Sequence, residues 1–202
     1  IFDMYLELYE EKVIENGGQV HWARDANEAC EIIAQICKDA GARTVTKGKS
    51  MVSEEMHLNP VLEAAGMTVV ETDLGEYIVQ LAGETPSHII APAVHKTREQ
   101  ITELFHKHHS PLGYTDRVTQ REALVNEARS VLRDRFVSAD VGITGANFLI
   151  AETGGNVIVT NEGNGDLTSS LPRVHIITAG IEKVIPSLED LSVLLRVLAW
   201  SA

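Results

Sequence analysis

Short apolar runs alternate with longer amphipathic segments along most of the chain. The runs are continuous rather than alternating in polarity, and turn or polar residues follow most of them: RTVT, MTVV, SHIIA, ADVGIT, NVIVT and RVHIIT. Continuous apolar strands are typical of a parallel sheet with both faces covered by helices. The pattern therefore predicts an α/β fold, in which a mostly parallel sheet lies between layers of helices.

The helical segments carry their own start and stop signals. An amphipathic N-terminal stretch ends at Gly17 and Gly18, and QVHWA after it is expected to form a short strand. Asp25 with Glu28 fits a capping box for the next helix. Further helices are expected from KGKSMVSEE to Ala65, after PAVHKT to about His108, from about Asp116 to Ser138, and after Ser187, where Asp190 completes a cap. The segment HKHHSPLGYTD, residues 106–116, is expected to be a mobile surface loop.

The composition fits a single domain over residues 1–202. The chain is 44% hydrophobic, and its formal net charge of −12 disfavours nucleic acid as a partner. The apolar runs are far shorter than the roughly 20 residues of a membrane span, and no signal-peptide order opens the chain. We therefore expect no membrane span and a cytoplasmic location. Because the chain begins with Ile1 and the last helical pattern runs into Ala202, we expect a piece of a longer protein.

The cysteines and histidines do not predict a metal site. Cys30 and Cys37 fall on one apolar helical stripe, so both are expected to be buried and unligated. An iron-sulfur cluster needs clustered cysteines, which this chain lacks. Among His106, His108 and His109, the second continues the apolar face of its helix and the other two look solvated, so a metal is not expected there.

The first candidate binding segment is TKGKS, which follows a predicted strand and precedes a helix. Lys47, Lys49 and Ser50 could hold a carboxylate or phosphate, because ligands of open parallel sheets bind at the carboxyl ends of the strands. The segment is not a Walker loop, since the glycine spacing of that motif is missing. Alternatively, the lysines pair with acidic residues after the next strand, which are Glu71, Asp73 and Glu76.

The second candidate segment is TNEGNGDLTSSLP, residues 160–172. It offers side-chain amides, glycine-exposed backbone N–H groups and hydroxyls, from Asn161, Asn164, Gly163, Gly165, Thr168, Ser169 and Ser170. Such a set could cradle an anion, and we expect it to lie within reach of TKGKS, so that lysines and amides converge on one pocket. The alternative is a long turn built from residues that tolerate left-handed backbone.

Glu152 in AETGG is the candidate catalytic residue. A carboxylate beside a glycine turn could act as a nucleophile or general base, or could simply be a turn residue with a solvated charge. If FLIAETGGNVIVT is a hairpin, Glu152 at its turn and Asn161 beyond its far end lie about 16 Å apart, at roughly 3.3 Å per residue. Both could not then face one small ligand.

Four long stretches resemble a known family. They are VTKGKSMVSEEMHLN, VVETDLGEYIVQLAGETPSHIIAPAVHK, ADVGITGANFLIAETGGNVIVTNEGNGDLTSSLP and HIITAGIEKVIPS, and they resemble the LUD domain of the lactate utilization protein B family. The resemblance implies a fold similar to the CoA-transferase, ribose-phosphate isomerase and glucosamine-phosphate deaminase group. It also implies [4Fe-4S] clusters in a C-terminal region that this chain lacks, and no cofactor in the chain itself.

The resemblance implies a role in oxidising L-lactate to pyruvate. The chain would be the N-terminal domain of the iron-sulfur protein, binding a small carboxylate or phosphate and docking onto other subunits of the lactate oxidation system. The alternative is a CoA-transferase-like or isomerase-like enzyme that uses Glu152. The polar positions within the matching stretches are Lys47, Lys49, Ser50, Glu71, Asp73, Glu152, Thr153, Asn161, Glu162 and Asn164.

Overall fold

The structure is a computed structural model that describes residues 2–84 and 91–201. Its helices are α1 (Phe2–Glu15), α2 (Ala26–Asp39), α3 (Met51–Glu55), α4 (Leu58–Ala64), α5 (Leu74–Ala82), α6 (Arg98–His109), α7 (Arg121–Ser138), α8 (Asn164–Ser170) and α9 (Leu188–Ser201). Its strands are β1 (Thr44–Gly48), β2 (Thr68–Glu71), β3 (Val141–Gly145), β4 (Phe148–Ile150), β5 (Gly155–Val157), β6 (Val174–Thr178) and β7 (Val184–Ile185).

The main sheet has four parallel strands in the order β2-β1-β3-β6. Helices cover both of its faces, as the neighbours Val69 and Val70 show. Val69 belongs to a core with α2 and α4, whereas Val70, on the other face, belongs to a core with α5, α6 and α7. This arrangement confirms the predicted α/β class and explains why the strand sequences are apolar on both sides.

A second, smaller sheet has the order β5-β4-β7, with β4 antiparallel to β5 and parallel to β7. The hairpin of β4 and β5 confirms the interpretation of FLIAETGGNVIVT. Helix α1 packs on this sheet, where the Tyr9 hydroxyl donates to Asn156 Oδ1 at 2.5 Å. Gly154 lies against α1, since a Cβ there would approach the Val13 nitrogen to 2.6 Å.

The segment QVHWA does not form the expected strand. It connects α1 to α2 without a sheet partner, and Trp22 within it is half-exposed and donates to the Glu10 carboxylate at 3.0 Å. Strand propensity takes effect only where a segment pairs with a neighbouring strand, and this segment pairs with none. The expected strand SHIIA, residues 87–91, lies outside the described residues except for Ala91.

Several helix boundaries also differ from those expected. Helix α6 continues to His109 and is followed by a 3-10 turn at Ser110–Leu112, so the expected loop over residues 106–116 starts too early. Helix α7 begins at Arg121 rather than near Asp116. The segment expected as one helix to Ala65 is divided into α3 and α4, because His57 between them has a left-handed φ of 53°. Ser187 caps α9 as expected, accepting from the Asp190 N–H at 3.2 Å.

Candidate functional site

Lys49 lies at the carboxyl edge of the main sheet in a left-handed conformation, with a φ of 59°. Its carbonyl accepts from the Gly145 N–H at 3.2 Å, and a Cβ on Gly145 would lie 2.5 Å from that carbonyl oxygen. A left-handed backbone costs a residue with a side chain roughly 1–2 kcal/mol. Strain of this kind is concentrated at functional positions, which directs attention to the Lys49 side chain.

The Lys49 ammonium contacts three acceptors. It lies 2.9 Å from Glu162 Oε2, 3.1 Å from Asp73 Oδ2 and 3.2 Å from Asn161 Oδ1. Partial burial lowers the pKa of Lys49, but the hydrogen bonds that its ammonium donates to Glu162 and Asp73 together have the larger effect. The pKa of Lys49 is therefore raised. The contact with Asn161 confirms that the loop lies within reach of TKGKS, and the contact with Asp73 confirms the alternative pairing for this lysine.

Lys47 faces a different environment from Lys49. Its side chain is buried, with Nζ 2.9 Å from Glu71 Oε1 and 3.3 Å from the Ser53 hydroxyl. Side chains two residues apart share a face only in extended backbone, and the left-handed turn at Lys49 redirects its side chain. The expected convergence of both lysines on the asparagines is therefore wrong for Lys47, which takes the expected acidic partner instead.

The other two candidate residues at this edge hold local structure. The buried Ser50 hydroxyl lies 2.6 Å from Thr178 Oγ1 and accepts from the Ser53 N–H, capping α3. Asn164 is also buried, and its Nδ2 donates to the Thr72 carbonyl at 3.3 Å. Both residues thus hold their loops together, leaving Asn161 as the exposed amide beside Lys49.

The segment expected as a glycine-rich loop is helical in its second half. Helix α8 begins after Gly163, whose φ of 80° provides the turn, and covers β3. Contact with the sheet is close at Gly142, where a Cβ would lie 1.9 Å from the Thr168 carbonyl oxygen. The hydroxyl of Thr168 is buried and lies 3.3 Å from that of Thr72, so it faces the sheet rather than an open cradle.

Glu152 lies apart from this cluster, in the turn between β4 and β5 of the smaller sheet. Its carboxylate is exposed and accepts from the Leu188 N–H at 2.6 Å, at the start of α9. A carboxylate at a helix N-terminus satisfies a free donor and stabilises the helix. The structure therefore gives Glu152 a helix-capping contact, and no described contact joins it to Lys49 or Asn161.

A buried carboxyl cluster beside Lys47 was missed in the sequence. Burial, with the charges of Glu71 and Glu54, raises the pKa of Glu76 to about 9. Within the described chain, Glu71 Oε2, Glu76 Oε2 and Asn59 Oδ1 are buried without a hydrogen-bond partner. The sequence signal for this cluster was the acidic segment ETDLGE after β2. Its third acid, Glu76, was considered only as a partner for the lysines.

A second missed cluster joins three helices. His109 accepts or donates on both ring nitrogens, with Nε2 2.9 Å from the Tyr77 hydroxyl and Nδ1 2.8 Å from Glu127 Oε1. The expectation that His109 is solvated is wrong, because its side chain is fully buried and its ring packs in a tilted orientation against Phe105, with ring centroids 4.6 Å apart. Counting four residues from Phe105 along the helix would have placed it on the buried face.

In residues 2–84 and 91–201, which the structure describes, no group of three or more histidine, cysteine or acidic side chains is arranged to hold a metal ion. Among the helices described there, none combines the length and the apolar character that crossing a membrane requires.

The fold and this edge define an α/β domain with a charged polar cluster at the carboxyl ends of a parallel sheet. The chain belongs to the LUD domain family, which matches residues 6–202. This confirms the family resemblance of the four sequence stretches.

Curated relatives match almost the whole chain. Lactate utilization protein B of Geobacillus kaustophilus is 47% identical over 201 residues, and the protein of the same name in Bacillus subtilis is 46% identical over 201 residues. The uncharacterized electron transport protein YkgF of Escherichia coli is 46% identical over 200 residues. Each alignment covers 99% of this chain but only 41% of the relative. No solved structure gives a significant match, so kinship to the CoA-transferase group stays a prediction.

Proposed function

We propose that this domain acts in L-lactate utilization as part of an iron-sulfur protein, where it binds a small anion and assembles with partner subunits. The names of the relatives support the pathway, and one of them is named as an electron transport protein. The chain has only two cysteines, so the [4Fe-4S] clusters of this proposal belong to a further region of a longer protein. In this proposal the domain acts in the cytoplasm.

The observation that supports anion binding is the ion pair between Glu162 and Lys49, because an anion from solution can take the place of the Glu162 carboxylate. The Glu162 side chain is 58% exposed, whereas that of Lys49 is 20% exposed and fixed by the strained turn. A carboxylate or phosphate from solution can replace the Glu162 carboxylate without leaving Lys49 unpaired. The Asn161 amide can then donate to the anion, since its NH₂ group is a donor.

The remaining candidate residues support this arrangement from behind. Ser50 fixes the turn after Lys49 through Thr178, and Asn164 fixes the loop that carries Asn161. Lys47, with its charge balanced by Glu71, contributes by holding β1 against β2 at the same edge. In this proposal Lys49 and Asn161 contact the anion, and the other three position them.

Titration of the chain with L-lactate, pyruvate and inorganic phosphate tests the site. We expect Lys49→Ala to weaken binding at least tenfold, and Glu162→Gln to tighten it several-fold because the competing carboxylate is gone. Lys12→Ala is the matched control, since Lys12 also pairs with a glutamate but lies on α1. Binding that survives Lys49→Ala, or that weakens in Glu162→Gln, contradicts the proposed site.

The assembly role is supported by an apolar stripe on α9. Val193, Val197 and Trp200 lie at helical spacing and are 48%, 60% and 96% exposed. Exposed apolar patches mark interaction surfaces.

Coexpression with the other subunits of the lactate system tests whether this stripe is the docking surface. Val197→Asp should abolish coelution in size-exclusion chromatography, whereas Ser192→Asp beside the stripe should not. Coelution of both variants would exclude α9 as the docking surface.

The alternative function is a CoA-transferase-like or isomerase-like enzyme with Glu152 as nucleophile. The exposure of Glu152 is compatible with it, but the contact with the Leu188 N–H already accounts for the carboxylate. Trapping with hydroxylamine after incubation with acyl-CoA tests the transferase reaction. Modification of Glu152 would support this reaction. Unmodified protein after incubation with several thioesters would argue against it and in favour of the binding role.

A further inference from the structure

A cleft outside the Lys49 cluster lies between α5, α6 and α7. It has a volume of about 370 Å³, and its floor is apolar, formed by Leu74, Ile78, Ile101, Phe105, Leu124 and Val125. Ligand pockets span roughly 300–1,000 Å³, so this cleft is of the size for a small molecule. At about 30 Å³ per water molecule, it holds a ligand of about a dozen non-hydrogen atoms.

The floor of the cleft is packed from behind. Ile78, Phe105 and Leu124 are each almost fully buried beneath the opening. Phe105 also packs against His109, whose ring nitrogens are held by Tyr77 and Glu127 from the neighbouring helices. These contacts hold the aromatic ring in place and oppose its movement into the cleft.

The rim of the cleft is basic, although the chain as a whole carries a net charge of −12. Lys96, Arg98 and Arg121 line it, against the single acid Glu99. Lys96 pairs with Glu84, and the exposed pair of Arg98 with Glu99 is 3.5 Å long. In the part of the chain that the structure describes, Arg121 has no ion pair.

The positions of the two arginines are not explained by helix stability. Arg98 is the first residue of α6 and Arg121 is the first residue of α7. The positive end of the helix dipole disfavours a cation in this turn. Both arginines therefore add to an existing positive potential at one side of the apolar cleft, which is complementary to an anion carried on an apolar body.

We propose that this cleft binds a monocarboxylate with an apolar body, such as a medium-length acyl chain. The carboxylate lies on Arg121 and Arg98, and the chain lies against Ile78, Phe105 and Leu124. The ligand differs from the small polar anion proposed for Lys49, because the floor here offers no hydroxyl or amide.

Isothermal titration with octanoate tests the site on the 202-residue chain. We expect octanoate to bind at least tenfold more tightly than uncharged octanamide, and octylamine not to bind. Arg121→Glu should weaken octanoate binding at least tenfold, because the charge on the rim is reversed. Arg129→Glu is the matched control: this arginine is exposed on the same helix but does not line the cleft, so binding should be unchanged.

One variant and one competition separate this site from the Lys49 site and from general electrostatics. Val125→Phe fills the cleft without changing charge and should weaken octanoate binding, with thermal unfolding checking that the fold is intact. L-Lactate, which is proposed to occupy the Lys49 site and lacks an apolar chain for the cleft, should leave octanoate binding in the cleft unchanged. Equal affinity for octanoate and octanamide, equal loss in the Arg129→Glu control, or no binding at millimolar octanoate would each overturn the proposal.

The carboxylate could be free in solution or belong to a lipid surface. Cosedimentation with phosphatidylcholine vesicles that contain oleic acid distinguishes these sources. We expect the chain to stay in the supernatant, because a cleft for about a dozen atoms accepts a free acid rather than a bilayer. Vesicle binding that Arg121→Glu abolishes and octanoate does not compete would overturn the assignment to a free carboxylate.

Discussion

Lys47 and Glu71 occupy directly paired positions on the neighbouring parallel strands β1 and β2, and their side chains form a buried ion pair of 2.9 Å. The two side chains are 2% and 7% exposed. Taking two charges out of water is costly, so each charge destabilises the fold if its partner is removed. This relationship fixes the register of the two strands at the edge that carries the proposed anion site.

Removal of one partner should therefore destabilise the fold strongly. We expect Lys47→Met to lower the free energy of unfolding by about 3–5 kcal/mol, since Glu71 is left as an uncompensated buried charge. Urea denaturation measures the change. The double variant Lys47→Met, Glu71→Leu should recover most of the loss. Lys12→Met, which removes an exposed pair with Glu15, should change the free energy of unfolding little.

Glu76 should make stability depend on pH. Its pKa is raised to about 9 in the folded state from an ordinary value of 4.5, because of burial and the charges of Glu71 and Glu54. Between these values the folded state holds a proton that the unfolded state has lost, so the free energy of unfolding falls as pH rises from about 5 to 9. Below pH 4 both states hold the proton and the effect is absent.

The substitution Glu76→Gln removes this titration. At pH 9 we expect it to stabilise the protein by about 1–3 kcal/mol, the scale of an unsatisfied buried group, and at pH 4 to change little. Urea denaturation at several pH values checks the slope. Glu55→Gln, an exposed neighbour in α3, should leave the slope as in the parent. A parallel pH profile in Glu76→Gln would contradict the raised pKa.

The Tyr77, His109 and Glu127 network should respond as a unit. Glu127→Leu leaves a ring nitrogen of His109 unsatisfied and should cost about 1–3 kcal/mol, whereas Tyr77→Phe should cost about 1 kcal/mol. Because both groups bond the same ring, the double variant should deviate from the sum of the two. Tyr114→Phe, whose ring only contacts His109 edge-on, should be nearly neutral. Strict additivity in chemical denaturation would argue against coupling through His109.

The two cysteines are buried, as predicted from their stripe on α2. Burial raises the pKa of Cys37 to about 11, so little thiolate forms near neutral pH. We expect no reaction of either thiol with Ellman's reagent in minutes at pH 8, and reaction of both in urea. A Ser130→Cys variant on the exposed side of α7 should add one thiol that reacts at once. Fast labelling of the native parent would show that α2 opens.

The fold class followed from the sequence because strand apolarity and helix caps are local signals. The cap of Ser187 and Asp190 needs only neighbouring residues, and the hairpin of β4 and β5 needs only a glycine turn between apolar runs. QVHWA shows the limit of such signals. Its apolar pattern is that of a strand, but a strand exists only where a partner edge is free, and that depends on the whole topology.

The location of the candidate site was predictable, and the acidic partners of the two lysines were among the expected alternatives, but the separation of the two lysines was not predictable. Lys49 contacts Asn161 as expected, but not for the expected reason, since β5 before Asn161 belongs to the smaller sheet. The segment reaches this edge because α8, which follows it, packs on β1 and β3. The left-handed φ of Lys49 was not visible in the sequence, and it separates this side chain from Lys47. The carboxyl cluster around Glu76 depends on the packing that brings Glu54 of α3 and Glu71 of β2 to Glu76 of α5, which no local pattern encodes.

The contact between α1 and the smaller sheet has a consequence for how the chain folds during synthesis. Tyr9 belongs to the core that includes Val184 of β7, which lies near the other end of the sequence. At roughly 5–20 residues per second, α1 leaves the ribosome on the order of ten seconds before its partner strand exists. Its apolar face stays exposed for that time, so a chaperone that shields nascent helices should raise the soluble yield more than one that acts on the completed chain.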